Sequence, residues 1–356
     1  LNAFEEFSMR PAANRRLLAA VLLPLAMAAL FPLILRRPSA APEVVVYCAH
    51  DSIFADAVLK TFQERTGIRV TVRYDEEASK SLGLTQLLLA EKDAPRCDVF
   101  WNNQTLGTIR LQQSGLLKRC PPEWFARIPE RYRDPDGYWC GFAGRFRVWI
   151  VNTSRMQADP RAVDQAFAAA DLSRCSLAVP LFGTTLTHYT ELAAELGLAE
   201  LKRWHQSLRD RGIREARGNG AVRDLVAAGA CDFGLTDTDD VFAALDAGKP
   251  VSMLPCRLPS GKTICIPNSA AIIRGCPHPE AAEQLLKFLV SEEVELLLAS
   301  SAARQIPLGE VSGERLPADV RPLVAWVSES GGPATAAAFD GPVLSWLSQL
   351  YTAGGE

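Results

Sequence analysis

The sequence predicts an α/β protein with doubly wound sheets in two lobes, and three observations carry that prediction. Apolar, β-branched strands alternate with amphipathic helices from residue 43 onward, the pattern that puts helices on both faces of a parallel sheet. Two strand–helix units fall within the first sixty residues of that stretch, short enough to require right-handed crossovers. The chain has 356 residues, 48% apolar and 22% charged, more than one ordinary core accommodates.

The elements follow in order. VVVYCA (44–49) suits a strand buried on both faces. An amphipathic helix over 54–66 stops at Gly67, a residue favoured just past a helix end. IRVTVRY (68–74) alternates as a second strand, 77–92 is helical, and CDVFW (97–101) is a third strand. GFAGRFRVWIV (141–151) is a strand separating two groups of βα units. Beyond it the pattern predicts a strand at 177–181, helices at 187–196, 199–211 and 221–228, a strand at 231–236 and a helix after Asp239. Strands at 251–255 and 263–267 precede one long helix over 280–300, its apolar face at Ala281, Leu285, Phe288, Leu289 and Leu296. Helices at 317–329 and 341–351 come last.

Residues 17–35 form an uncharged apolar run flanked by Arg15, Arg16, Arg36 and Arg37. At about 1.5 Å per residue it spans roughly 28 Å, close to a bilayer core. Residues 1–42 are therefore expected to be a signal peptide or signal anchor, with the rest at the periplasmic or extracytoplasmic face. In that oxidising setting some of the nine cysteines should pair. Cys256 and Cys265 flank a Pro-Ser-Gly-Lys turn and are candidates to face each other across a hairpin. No zinc-type cysteine spacing occurs. The net charge of −3, with no long charged block, gives no reason to bind nucleic acid. There is no G-x-S-x-G, H-E-x-x-H or P-loop, so an enzyme is not expected, although paired aspartates in a cleft keep a hydrolase as a distant alternative.

An ordered set of phrases then resembles a known family. They are V-Y-C-A-H-D after strand one, F-Q-E-R-T-G-I-R-V (62–70), C-D-V-F-W-N-N-Q-T (97–105) and S-G-L-L (114–117). G-R-F-R-V-W-I-V-N (144–152), G-L-T-D-T-D-D (234–240) and I-P-N-S-A-A-I-I-R-G-C-P-H-P-E-A-A (266–282) follow. Together they resemble the ferric-binding-protein branch of the solute-binding proteins of bacterial ABC importers. The resemblance implies a type II periplasmic-binding-protein fold with two lobes hinged by crossing strands near 141–152 and 264–268. Lobe 1 is expected at 43–145 with 265–310 returning to it, and lobe 2 at 146–264 with the helices of 311–356 packed on it. It further implies a monomer that captures a small ligand between the lobes and hands it to an ABC permease. An anchored ligand-sensing ectodomain is the alternative.

Ligands of doubly wound sheets sit beyond the carboxyl ends of the strands, and five segments fall there. His50, Asp51 and Ser52 follow strand one, where Asp51 or Ser52 could equally cap a helix. Asn102 and Asn103 follow strand three. Arg145 and Arg147 share a strand face and could hold an anion or pair with Asp134 or Asp136. Gly183, Thr184 and Thr185 can cradle an anion at a helix start, with His188 one turn further in. Asp237, Asp239 and Asp240 crowd more acid into one helix entry than capping requires, and suit a cation, an amine or hydroxyl groups.

Iron-binding members of that branch carry a His after strand one, a Glu before the Q-T of strand three and a Tyr-Tyr pair. Here His50 matches approximately, Asn103 stands at the Glu position and Asp239-Asp240 stand at the Tyr-Tyr positions. No resident cofactor is expected, and no metal set follows from the residues. Ferric iron is one transported ligand to expect, and the departures favour an organophosphate or phosphonate over it.

Overall fold

The computed structural model describes residues 42–75 and 82–353. The apolar run at 17–35 lies outside them, as does 77–81 of the second expected helix. No helix among the described residues is long and apolar enough to cross a membrane.

Strands β1 (Glu43–Cys48), β2 (Arg69–Tyr74) and β3 (Val99–Asn102) alternate with helices α1 (Ser52–Thr66), α2 (Leu82–Ala90) and α3 (Leu106–Gln113). Gly67 ends α1 at φ 70°, its N–H returning to Gln63 O. Then comes β4 (Cys140–Asn152), followed by α4 (Pro160–Phe167), β5 (Cys175–Ala178), α5 (Gly183–Leu196) and α6 (Leu198–Asp210). Next are β6 (Arg214–Ala216), α7 (Asn219–Ala227), β7 (Phe233–Asp237), α8 (Thr238–Asp246) and β8 (Val251–Pro255). The chain continues through β9 (Cys265–Ile272), α9 (Pro279–Leu289), α10 (Glu292–Ser300), α11 (Ala325–Ser328) and α12 (Ala337–Ala353).

The strand order is β2-β1-β3-β9-β4-β7-β5-β6, with β8 also on β4. Pairs β1–β2, β1–β3, β5–β6 and β5–β7 are parallel, as the βα units predict. The sheet is nevertheless mixed. Strand β9 runs antiparallel to β3 and β4, and β4 antiparallel to β7 and β8, pairings that need no crossover helix. The first half of β4 pairs with β9 and the second half lies between β7 and β8. One continuous strand thus serves two groups of strands. It passes from one to the other between Phe146 and Arg147; within the β9 pairing it bulges between Phe142 and Gly144, and Ala143 takes φ 40°. The Ala143 N–H donates to Glu295 Oε1 at 2.8 Å. Glu295, fully buried, also accepts from Leu308 N and Gly309 N and lies 2.7 Å from Arg127 Nη1.

Two apolar clusters form. One gathers β1, β3, β9, α1, α9 and α10, together with Leu316, Val320, Leu323 and Val327. The other gathers α5, α6 and the starts of β5 and β7, together with Val343 and Leu347 of α12.

Several boundaries differ from expectation. The helix expected over 280–300 is two, because Ser291 restarts the chain as a new N-cap and its Oγ accepts from Val294 N. Helix α5 begins at Gly183, one turn earlier than expected, so Thr184 and Thr185 form its first turn. Helices α3 and α4 were not expected, although Asp159 caps α4 and Pro160 opens it. The cysteine expectation is overturned: all nine thiols are buried and none is in a disulfide. Cys256 N–H donates to Arg147 O while Arg147 N–H donates to Ile264 O. Arg257 and Thr263 do bridge antiparallel across the expected turn, but beyond them the two legs part along β4, Pro255 opposite Val148 and Cys265 opposite Phe146, and the two cysteines form no disulfide.

Candidate functional site

A cavity of about 470 Å³ opens where strand ends and helix starts converge. It collects His50 and Asp51 from the β1–α1 junction, Asn103 from the end of β3, and Arg145 from β4. Gly183, Thr184 and Thr185 enter from the start of α5, and Asp237, Asp239 and Asp240 from the β7–α8 junction. Four expected residues, Ser52, Asn102, Arg147 and His188, do not line it. Ser52 opens α1 but does not line the cavity, and Asn102 is buried behind it with Nδ2 3.4 Å from Thr108 Oγ1. His188 lines a different cavity.

Asp237 is the best-anchored group. It accepts from Arg147 Nη1 at 2.6 Å, from Thr184 Oγ1 at 2.6 Å and from Asn219 Nδ2 at 3.0 Å. Arg147 is fully buried and also donates to Thr184 Oγ1 and Asn219 Oδ1. It therefore supports the site from beneath instead of lining it. Neither Thr184 nor Asp237 caps its helix through its side chain, so the plain capping explanation fails for both. Gly183 sits at φ 61° with open space around its α-carbon. Its glycine answers to backbone conformation rather than to crowding.

Asp239 is less constrained, its nearest cation being Arg145 Nε at 3.8 Å, and a quarter of its side chain is exposed. Asp240 accepts from Thr236 Oγ1 at 2.6 Å and lies 3.6 Å from Arg223. Burial, and then the crowding of carboxylates, pushes both Asp239 and Asp240 above the usual carboxylate range, with Arg145 opposing the rise at Asp239. Oxygens of Asp237, Asp239 and Asp240 come within 4.8 Å of one another, a spacing able to hold a metal ion.

Across the lining, His50 is buried between the rings of Phe54 and Trp101, with Nε2 3.3 Å from Gln305 Nε2. Gln305 Oε1 accepts from Asn268 Nδ2 at 2.6 Å, and Asn268 Oδ1 accepts from Trp101 Nε1. A buried polar chain thus ties His50 to β9. Asn103 gives its backbone O to Arg145 Nη2 at 2.8 Å, while its own Oδ1 is buried without a hydrogen-bond partner.

Arg217, Asn219 and Arg223 also belong to the lining and were not anticipated. The R-G-N-G run at 217–220, between a strand and a helix, was the available signal. The lining therefore carries the carboxylates of Asp51, Asp237, Asp239 and Asp240 beside the guanidinium groups of Arg145, Arg217 and Arg223.

The cavity is charged and lies between strand ends of a two-lobed α/β fold. Residues 57–307 match the family described as bacterial extracellular solute-binding protein, and the chain belongs to that family. Its place is accordingly the periplasm or the extracytoplasmic face. The chain is 23% identical over 285 residues to iron uptake protein A1 of Synechocystis, covering 74% of this chain and 75% of the relative. Its fold matches iron-bound HitA from Pseudomonas aeruginosa with a TM-score of 0.73 and 22% identity, over 86% of this chain and 99% of that one. It also matches the Trichodesmium protein IdiA (FutA) in complex with iron and citrate, with a TM-score of 0.70 and 19% identity, over 86% and 98%.

Proposed function

We propose that this protein captures ferric iron together with a small oxyanion and delivers it to an ABC permease. The observation that carries the reading is the trio of carboxylates within 4.8 Å, with the unpartnered Asn103 Oδ1 in the same lining. A small, highly charged cation prefers hard oxygen ligands. Burial first, and the neighbouring carboxylates after it, raise the pKa values of Asp239 and Asp240, and a bound cation favours their charged forms. Arg145, Arg217 and Arg223 then hold an oxyanion such as a carboxylate through paired N–H donors. Names of the relatives support iron, and the preference for an organophosphate or phosphonate is withdrawn.

In this reading lobe 1 is 43–145 with 265–310, against which Leu316, Val320, Leu323 and Val327 also pack, and lobe 2 is 146–264 with α12. His50, Asp51 and Asn103 approach the ligand from the first, and Thr184, Asp237, Asp239 and Asp240 from the second. Ligand contact with both lobes shifts the population toward a closed form. The protein works as a monomer, binds no nucleic acid and makes or breaks no bond.

Titration of the purified, metal-stripped protein with ferric nitrilotriacetate, with and without citrate, tests the proposal. One iron per chain, bound more tightly with citrate and lost in Asp239→Ala, is the expected result. No tyrosine lines the cavity among the described residues, so the complex should lack the visible band of a phenolate–iron bond. Failure to bind iron in either form overturns the assignment.

A further inference from the structure

Helix α8 carries Asp239 and Asp240 in its first turn and ends at Asp246. One side chain from outside the helix holds that far end. Arg304 Nη1 and Nη2 donate to the two carboxylate oxygens of Asp246 at 2.7 and 2.8 Å, a fork-to-fork pair. Its Nε lies 2.6 Å from Asp319 Oδ2, and its guanidinium carbon stands 5.0 Å from the centre of the buried Phe242 ring, one turn back on α8. Isolated surface ion pairs contribute little. This one is bidentate, shared with a second carboxylate and seated on a ring, and only 22% of the arginine side chain is exposed.

The backbone points the same way. Arg304 has φ 43°, a left-handed conformation that glycine adopts freely and a residue with a β-carbon resists. It lies in the turn beyond α10, where its N–H donates to Ser301 O and the Gln305 N–H to Leu298 O. Glycine would build that turn with less strain, so an arginine there signals a use for the side chain. The next two residues show what the use is. Gln305 Nε2 lies 3.3 Å from His50 Nε2 in the cavity lining, and Ile306 exchanges two backbone hydrogen bonds with Gly144 of β4. Among the described residues the two non-glycines with positive φ, Ala143 and Arg304, both lie beside that pairing.

We infer that Arg304 is a positioning residue for ligand capture: it ties the end of α8 to the turn that holds His50, and so fixes the distance across the cavity. This rests on the two-lobed reading given above, with 265–310 in one lobe and α8 in the other. Without the clasp the same ligand groups remain but spread over a range of separations. Only a fraction of the molecules is then competent, and the apparent affinity falls by that fraction.

Two measurements on the full chain separate the clasp from the iron assignment. Nitroxide labels on Glu64→Cys in α1 and Arg203→Cys in α6, both exposed positions, report the lobe separation by double electron–electron resonance without any ligand. The nine native thiols are buried and leave the labels to these sites. Arg304→Gly, which suits the turn, should at least double the width of the distance distribution, and Arg304→Lys, which keeps the charge without the fork, should fall between. An unchanged distribution in Arg304→Gly overturns the clasp. Titration with ferric citrate reads its consequence. Arg304→Gly and Asp246→Ala should each weaken binding about tenfold, and the double variant should lose no more than Arg304→Gly alone. Additive losses, or undiminished affinity in Arg304→Gly, overturn the positioning role. A parent that binds no iron, yet broadens on Arg304→Gly, overturns the iron assignment and supports the clasp.

Discussion

Asp237 and Asp239 stand two positions apart and meet opposite surroundings. The first is held by Arg147, Thr184 and Asn219, whereas the second accepts from the Asp240 N–H at 3.1 Å and shares Arg145, at 3.8 Å, with the first. Replacing Arg147 with Met strands a buried carboxylate and should cost about 3–5 kcal/mol in urea unfolding. Asp239→Asn should leave the ligand-free protein as stable or more so, while weakening iron binding at least tenfold. The pH dependence separates the two further. Because Asp239 and Asp240 are raised, the folded chain binds more protons than the unfolded one from about pH 4 up to their folded values. Stability therefore falls as pH rises through that window, and Asp239→Asn should flatten the slope. Iron binding, which displaces those protons, should strengthen over the same range. His188, held neutral by burial, acts oppositely and is lost as pH falls below about 6.5. Comparing the variant with its parent cancels it. The acid cluster was legible because three Asp in four positions exceed what a helix start needs. The division of labour within it was not, since it depends on a guanidinium arriving from β4.

Strand β4 is the element on which the site hangs. Its sequence reads plainly as a strand, but nothing in G-F-A-G-R-F-R-V-W-I-V announces that the partner changes partway along. The change falls between Phe146 and Arg147, just beyond a bulge at Ala143 that Glu295 from α10 holds. Glu295→Ala should leave the N–H groups of Ala143, Leu308 and Gly309 without their acceptor and Arg127 uncompensated, costing about 3–5 kcal/mol. It should also blunt the response to iron, because the altered bulge lies in the same strand as Arg145, which lines the cavity. Differential scanning calorimetry with and without ferric citrate reads both effects. Similar reasoning explains why 280–300 read as one helix. The apolar face continues across the break, and a single serine at 291 supplies the competing cap.

For the whole molecule, an ordered run of phrases gave the family where no single phrase could, because strand–helix order survives when ligand residues change. Strand pairing was less legible, since β9 joins β3 to β4 across more than a hundred residues. Iron at 100 times its Kd should stabilise the fold by about 2.7 kcal/mol, read as a rise in Tm that grows with added iron. The cysteines lend themselves to a different measurement. Ellman's reagent should find none of the nine in the native protein and all nine in guanidinium without reductant, because all are buried and burial raises the pKa of several, to about 12 for Cys256 and Cys265. Outside the cytoplasm, that arrangement turns unfolding into a one-way event. A chain that opens even briefly exposes thiols to oxidants, and any mismatched disulfide prevents its return. Lifetime there is governed by the height of the unfolding barrier rather than by the equilibrium, so contacts formed only after the folding transition state protect the protein most.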